Sequence, residues 1–219
     1  MFLDLHTHSI SSDDSRATVE QYVSWVGVLR RRGYRIDGFA LTEHRKFDFD
    51  KDYSELARGN DVVILKGSEL DTRYGHFLVY GVTEELTSRI DFSNVAIDAI
   101  ELVHVARDCG GIALPAHPGR YGIGLYEFIE NGANPRAVGV VEQLNGSNRP
   151  GEQERADELV RTYGYRGTGG SDAHLVSAIG ACMTGFDTWI ADERDLVREL
   201  VSGDFRAVRL EETRTGEVA

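Results

Sequence analysis

A chain of 219 residues, 41% hydrophobic and 27% charged, has the size and composition of one globular domain spanning 1–219, able to bury a core without disulfides or structural metal. Lys and Arg total 24 against 36 Asp and Glu, a formal charge of −12; this argues against nucleic-acid polymers and anionic membranes as partners, because both favour a positive face. No run nears the ~18 apolar residues that span a bilayer, Asp4 and His6 come too early for a signal peptide, and Cys109 and Cys182 lack metal or C-x-x-C spacing, so the expectation is a cytoplasmic protein with two reduced thiols.

Met1–Leu5 is a short apolar run and predicts a buried strand. Thr18–Arg32 places Val19, Tyr22, Val23, Val26 and Leu29 on one face and stops at Gly33, the pattern of an amphipathic helix with a C-terminal glycine. Gly38–Leu41, Val62–Leu65 and Phe77–Tyr80 predict further strands. Ser93–Cys109 predicts a helix carrying Val95, Ile97, Ile100, Leu102, Val103 and Ala106. Gly111–Leu114 and Gly139–Val141 follow as strands, then Gly151–Tyr163 as a polar helix with Ala156, Leu159 and Val160 inward. Tyr165–Thr168 is a weaker strand. Asp192–Ser202 begins with a capping Asp and turns Leu196, Val197, Leu200 and Val201 to the core, and Arg206–Leu210 reads as a last strand. Alternation of apolar strands with helices predicts a helix-covered parallel sheet. Seven or eight strands favour a barrel, although the pattern alone leaves an open sheet possible.

Histidines and carboxylates gather at the C-terminal ends of these runs. His6 and His8 follow the first, Glu43 and His44 the second, and Glu69 the third. His117 follows Gly111–Leu114, and Asp172 and His174 follow Tyr165–Thr168, while His76 opens its strand. Strand ends of an α/β barrel converge on one face, where chemistry is built. Residues i and i+2 on a strand point the same way, so His6 and His8 can grip one cation, and Asp172 and His174 repeat the spacing. Nine candidate ligands result: His6, His8, Asp13, His44, Glu69, His76, His117, Asp172 and His174. Imidazole with carboxylate suits zinc, manganese or iron, and nine ligands exceed the need of one ion, so two or three divalent ions are expected. His104, mid-helix with no acidic partner at metal spacing, reads as structural.

The ordered set H-x-H-S-x-x-S-D (His6–Asp13), T-E-H (Thr42–His44), G-x-E (Gly67–Glu69), a G-H-x-x-x-x-G strand (Gly75–Gly81), A-H-P (Ala116–Pro118), V-E-x-x-N (Val141–Asn145) and S-D-A-H (Ser171–His174) resembles the PHP superfamily, the polymerase and histidinol phosphatase domains. The resemblance covers essentially the whole chain. It implies a distorted (β/α)7 barrel, a trinuclear metal site and hydrolysis of phosphate esters. Carried over by motif, it implies that His6, His8, Glu69 and Asp172 hold one ion. Glu69 would bridge to a second ion with His76 and His117, and Asp13, His44 and His174 would hold a third. Glu43 departs from the usual Asp of T-D-H.

The expected activity is hydrolysis of a small phosphorylated metabolite, such as a nucleotide or sugar phosphate, by a metal-activated hydroxide. Asp172 or His174 would shuttle a proton to the leaving group, and Glu43 and Ser171 would orient imidazoles. Arg45, Arg120 and Arg149 follow ligand motifs or a turn on the same face and are the candidate phosphate contacts. Glu142 and Asn145 could read a sugar hydroxyl, steady a metal ligand or cap the strand. The alternative is a metal-dependent hydrolase of a carboxylic ester or amide.

Overall fold

In a computed structural model, residues 1–129, 133 and 135–215 are described. The strands are β1 (Phe2–Thr7), β2 (Gly38–His44), β3 (Val63–Thr72), β4 (Gly75–Tyr80), β5 (Ile112–Pro115), β6 (Val140–Asn145), β7 (Arg166–Gly170), β8 (Cys182–Phe186) and β9 (Phe205–Arg209). The helices are α1 (Val19–Arg31), α2 (Ser54–Gly59), α3 (Glu84–Arg89), α4 (Ala99–Asp108), α5 (Leu125–Ile129), α6 (Glu152–Tyr163) and α7 (Glu193–Ser202).

Side-chain capping fixes where the longer helices start. Thr18 and Gln21 form a reciprocal capping box at α1, whose buried residues are Val19, Tyr22, Val23, Val26 and Leu29, as the periodicity predicts. α4 begins at Ala99 rather than near Ser93, because the Asp98 carboxylate accepts from the Ile100 and Glu101 amides. Val95 therefore precedes the helix and is 63% exposed. Asp192 caps α7, but Val201 falls off the apolar stripe into solvent. The helices α2, α3 and α5 are too short to display a period in sequence.

A seven-stranded sheet runs in the order β5-β4-β3-β2-β1-β8-β9, and β6 and β7 form a separate parallel pair. Strands β1, β2 and β3 are parallel neighbours. β4 is antiparallel to both β3 and β5, and β8 is antiparallel to β1 and β9. The sheet curls so that β6–β7 approaches β5 on one side and β1 on the other. One isolated bridge, Thr7 to Ala173, joins the β7 side to β1. The expected (β/α)7 barrel is thus corrected to a coarser form, an α/β fold with a curled, half-barrel sheet. The connection explains the reversal at β4: only Arg73 and Tyr74 separate β3 from β4, a hairpin length, whereas a parallel return needs a crossover of about a dozen residues. β8, read as C-M-T-G-F, lacks the apolar run that marked the other strands.

Leu3, Leu5, Leu65, Leu78 and Leu114 from the strands pack with Leu196 and Leu200 of α7. A second cluster sets Tyr22, Val26 and Leu29 of α1 against Phe39, Leu41 and Met183. Alternation along β1 gives Leu3 and Leu5 to one face and Asp4 and His6 to the other. The apolar face holds the sheet rigid while the polar face carries the site.

Candidate metal centre

Three groups of ligand-type atoms lie close together: His6, His8, Glu69 and Asp172; Glu69, His76 and His117; and His8, His44 and His174. In the first, His6 Nε2 lies 3.0 Å from His8 Nε2 and 3.4 Å from Asp172 Oδ1. Glu69 Oε2 lies 3.3 Å from both imidazole nitrogens. For bonds of about 2.0–2.1 Å, ligand atoms around a tetrahedral ion stand roughly 3.3 Å apart, so this spacing matches one shared cation. Two imidazole nitrogens 3.0 Å apart can share at most one proton between them, whereas a cation accepts both lone pairs. The donor set of imidazole and carboxylate fits zinc, manganese or iron.

Glu69 divides its oxygens between groups. Oε1 lies 3.0 Å from His76 Nδ1 and 2.9 Å from His117 Nε2, while Oε2 faces His6 and His8 and His44 Nδ1 at 3.1 Å. β3 makes this possible, since its register against β2 sets Glu69 beside His44 and its hairpin returns His76 close by. His76 turns its Nε2 to Asp71 Oδ1 at 3.3 Å. That partner fixes the ring orientation, as carboxylates do behind metal-ligating histidines.

Charge on these groups is strongly coupled. Burial alone would raise the Glu69 carboxyl, but charge on His6 and hydrogen bonds from His117, His44 and His6 hold it well below the usual carboxylate range. Burial opposes charge on His6, yet Glu142, Asp172 and Glu69 outweigh it and raise its pKa well above the ordinary value. The same competition, led by burial and reversed by His6 and His8, keeps Asp172 ionised far below its normal range. Burial pushes His117 down. The cluster therefore demands positive charge among its carboxylates.

The third group differs from the expectation. Asp13 and Asp14 are both exposed and belong to none of the three groups. Asp14 is the aspartate that reaches the third group, its Oδ2 lying 3.3 Å from His44 Nε2 and 3.2 Å from His174 Nε2. The loop explains the shift: the Ser12 hydroxyl donates to Glu43 and the Ser15 hydroxyl to the His8 carbonyl, which pins both serines inward and leaves the two aspartates on the outer turn. Sequence cannot choose between adjacent aspartates. Asp14→Ala is expected to weaken the third group's metal affinity about tenfold or more, and Asp13→Ala to leave it unchanged; titration of the metal-stripped variants with manganese checks this.

Second partners also rearrange. Glu43 touches no imidazole; it accepts from the Ser9 amide and from the Ser9 and Ser12 hydroxyls and so fixes the loop after β1. The Ser171 amide donates to the Asp4 carboxylate, and its hydroxyl donates to the His6 carbonyl rather than to an imidazole. Asp4 also accepts from the His6 and Gly180 amides, and burial pushes its pKa up to about 6. The group orienting His6 is Glu142, whose Oε1 lies 3.0 Å from His6 Nδ1 and whose Oε2 accepts from the His117 amide at 2.6 Å. Gly170 makes room for this pair, because a Cβ there would stand 2.4 Å from the His6 Cβ and 2.6 Å from Glu142 Oε1. His117, Asp172 and Arg45 adopt positive φ, an uncommon conformation for side-chain-bearing residues that concentrates at functional sites.

The arginines separate. Arg120 donates to Asp172 Oδ2 at 2.7 Å and to Asn145 Oδ1 at 3.0 Å, so it steadies a ligand-type carboxylate. Arg45 pairs with Asp71 at 3.2 Å. Arg120 and Arg149 line a cavity of about 460 Å3 with Asp172 and His174, and Arg45 does not. Asp172 is also poorly suited to give up a proton, being ionised with its two oxygens engaged by His6, His8 and Arg120. His104 is exposed on α4, outside all three groups.

The comparisons with known proteins agree with this fold. A PHP-associated family model matches residues 150–205. The structure is similar to PsfC from Pseudomonas syringae PB-5123, with a TM-score of 0.69 and 19% identity over 97% of this chain and 92% of that one. It is similar to a two-domain protein from Bacteroides vulgatus ATCC 8482 containing a predicted PHP-like metal-dependent phosphoesterase, with a TM-score of 0.61 and 20% identity over 96% of this chain and 65% of that one. Endonuclease Q, in complex with a 27-mer duplex substrate with an abasic lesion at the active site, matches with a TM-score of 0.68 and 15% identity over 94% of this chain and 57% of that one. Identities this low make each a likeness of fold. No curated protein matches the chain significantly. The family model covers residues 150–205, about a quarter of the chain, and the rest of the likeness to PHP-like proteins is one of fold.

The expectation that nucleic-acid polymers are excluded as partners is overturned, because this fold receives a DNA duplex in endonuclease Q. A net charge of −12 sums the whole surface, whereas binding follows the local field, to which ions in a site contribute most. Among the described residues, no helix is long and apolar enough to cross a membrane.

Proposed function

We propose that this chain is a metal-dependent phosphoesterase acting on a small phosphorylated metabolite. The observation that carries the reading is Glu69, whose two carboxylate oxygens face two separate ligand groups. That arrangement suits a pair of ions sharing one carboxylate: His6, His8 and Asp172 would hold the first with Glu69, and His76 and His117 the second. Bound ions of this kind activate water at neutral pH and neutralise charge on phosphoryl oxygens. The protein's part is to orient and to hold charge. Glu142 and Asp71 set the rings of His6 and His76. Arg120 donates to Asp172 Oδ2 and leaves Oδ1 to face the first group. His174, 29% exposed in its side chain and lining the cavity, would exchange a proton with the departing group when no ion occupies the third group. A cavity of about 460 Å3 is of small-molecule size.

The test is hydrolysis by protein loaded with zinc, manganese or iron, read as inorganic phosphate from monoesters, as freed alcohol from diesters and the carboxylic ester, and as strand scission of duplex. Phosphomonoesters and diesters, an abasic-site duplex and a chromogenic carboxylic ester are assayed side by side. Metal-dependent turnover of a small phosphate ester, lost with chelator, is the expected result. Cleavage of the duplex alone would move the substrate to DNA, and cleavage of the carboxylic ester alone would remove the phosphoesterase reading.

A further inference from the structure

The cavity beside Asp172 and His174 has one wall that phosphoester chemistry does not require. Tyr121 and Ile123 line it, and the two residues are 57% and 36% exposed. An exposed tyrosine is ordinary, but this one is held in place. Its amide donates to the Glu152 carboxylate at 3.1 Å. The Arg155 guanidinium stands over its ring at 4.5 Å, and the same guanidinium covers the Tyr126 ring at 4.2 Å. Arg155 is itself anchored to Glu127 at 2.7 Å. A Cβ on Gly151 would stand 2.6 Å from the Tyr121 hydroxyl, so the glycine permits the ring to lie where it does. Arg155 is not among the residues lining the cavity; the guanidinium therefore backs the ring from the far side. One face of a fixed aromatic ring is left to the cavity.

Resting on the phosphoesterase reading, we infer that Tyr121 is a specificity-determining stacking platform for an aromatic ring in the leaving group of the substrate, as in a nucleoside monophosphate. Three features support this. The ring and the ligand-type residues Asp172 and His174 share one cavity, so an ester phosphate and a ring joined by a short sugar can lie in it together. The cavity is far larger than a phosphoryl group and of the size that small-molecule sites use. The order imposed on Tyr121 from its back face reduces the entropy lost when a planar ring stacks on it. A polyol phosphate would leave this wall unused.

Nucleoside 5′-monophosphate and ribose 5-phosphate carry the same phosphoryl group on the same primary alcohol and differ in the base, so their comparison isolates stacking. Calorimetric binding of each to the metal-loaded protein is measured beside phosphate release. The nucleotide is expected to bind roughly tenfold to a hundredfold more tightly, the range that base stacking on an aromatic side chain provides. Tyr121→Ala is expected to bring the two affinities together, and Tyr121→Phe to keep them apart. Equal affinities in the wild type, or a preference that survives Tyr121→Ala, would overturn the stacking role. Preferential nucleotide binding with no hydrolysis of any phosphomonoester or phosphodiester would uphold the platform and overturn the phosphoesterase reading instead.

Discussion

Glu69→Gln is expected to empty two ligand groups with one substitution and to abolish turnover. Elemental analysis of wild-type protein, purified without chelator and supplied with manganese, iron or zinc, should give two to three ions per chain. The variant should fall well below that. The amide keeps the shape of the carboxylate but removes its charge, and it replaces one acceptor oxygen with a donor. Oε1 and Oε2 serve different groups, so whichever oxygen is replaced, one group meets an N–H pointing at its centre and the other loses an anion. Removing a partner behind a ligand typically costs about 10–100-fold in metal affinity, and loss of a direct ligand should exceed that. His104→Gln is the control, expected to retain both metal and activity because His104 is exposed on α4. Equal losses in the two variants would dismantle the site described here.

Glu142→Ala is expected to have the next largest effect, although Glu142 belongs to none of the three ligand groups. Its carboxylate meets His6 Nδ1, the His117 amide and the Asn145 side chain at once. Deleting it frees the His6 ring to turn and leaves a buried amide without its partner, a cost of about 1–3 kcal/mol by itself. Metal affinity at the first group should drop by about 10–100-fold, and thermal stability should fall even in metal-free protein. The second readout separates Glu142 from a residue that only binds substrate. Unchanged stability together with a raised KM would assign Glu142 to the substrate instead.

The sequence made the ligand-type residues more legible than their supports. His6, His8, Glu69, His76, His117 and Asp172 could be picked out because strand ends in such folds converge, and each stood beside an apolar run. Asp13 and Asp14 could not be told apart, since the choice depends on two inward-tied serines. Glu142 was visible as part of V-E-x-x-N, but its role depends on β6 and β7 bringing residues far apart in sequence into contact. Arg120 was placed on the correct face, yet its pairing with Asp172 was not foreseeable from spacing. The reversal of β4 was implicit in the short gap between Thr72 and Gly75, and would have followed from weighing loop length against the expectation of parallel strands.

The single bridge between Thr7 and Ala173 gives the ligand groups a second task. His6 and His8 come from the β1 side of that junction and Asp172 from the β7 side, so an ion gripped by all three works as a clasp between the early and late parts of the chain. Its binding energy is then also conformational energy. Starving the protein of metal would slacken this junction first, while the hairpin carrying Glu69 and His76 kept its own ladder. A protease would find the unfastened form before the loaded one, and the lifetime of the protein in a cell would track the supply of its metal.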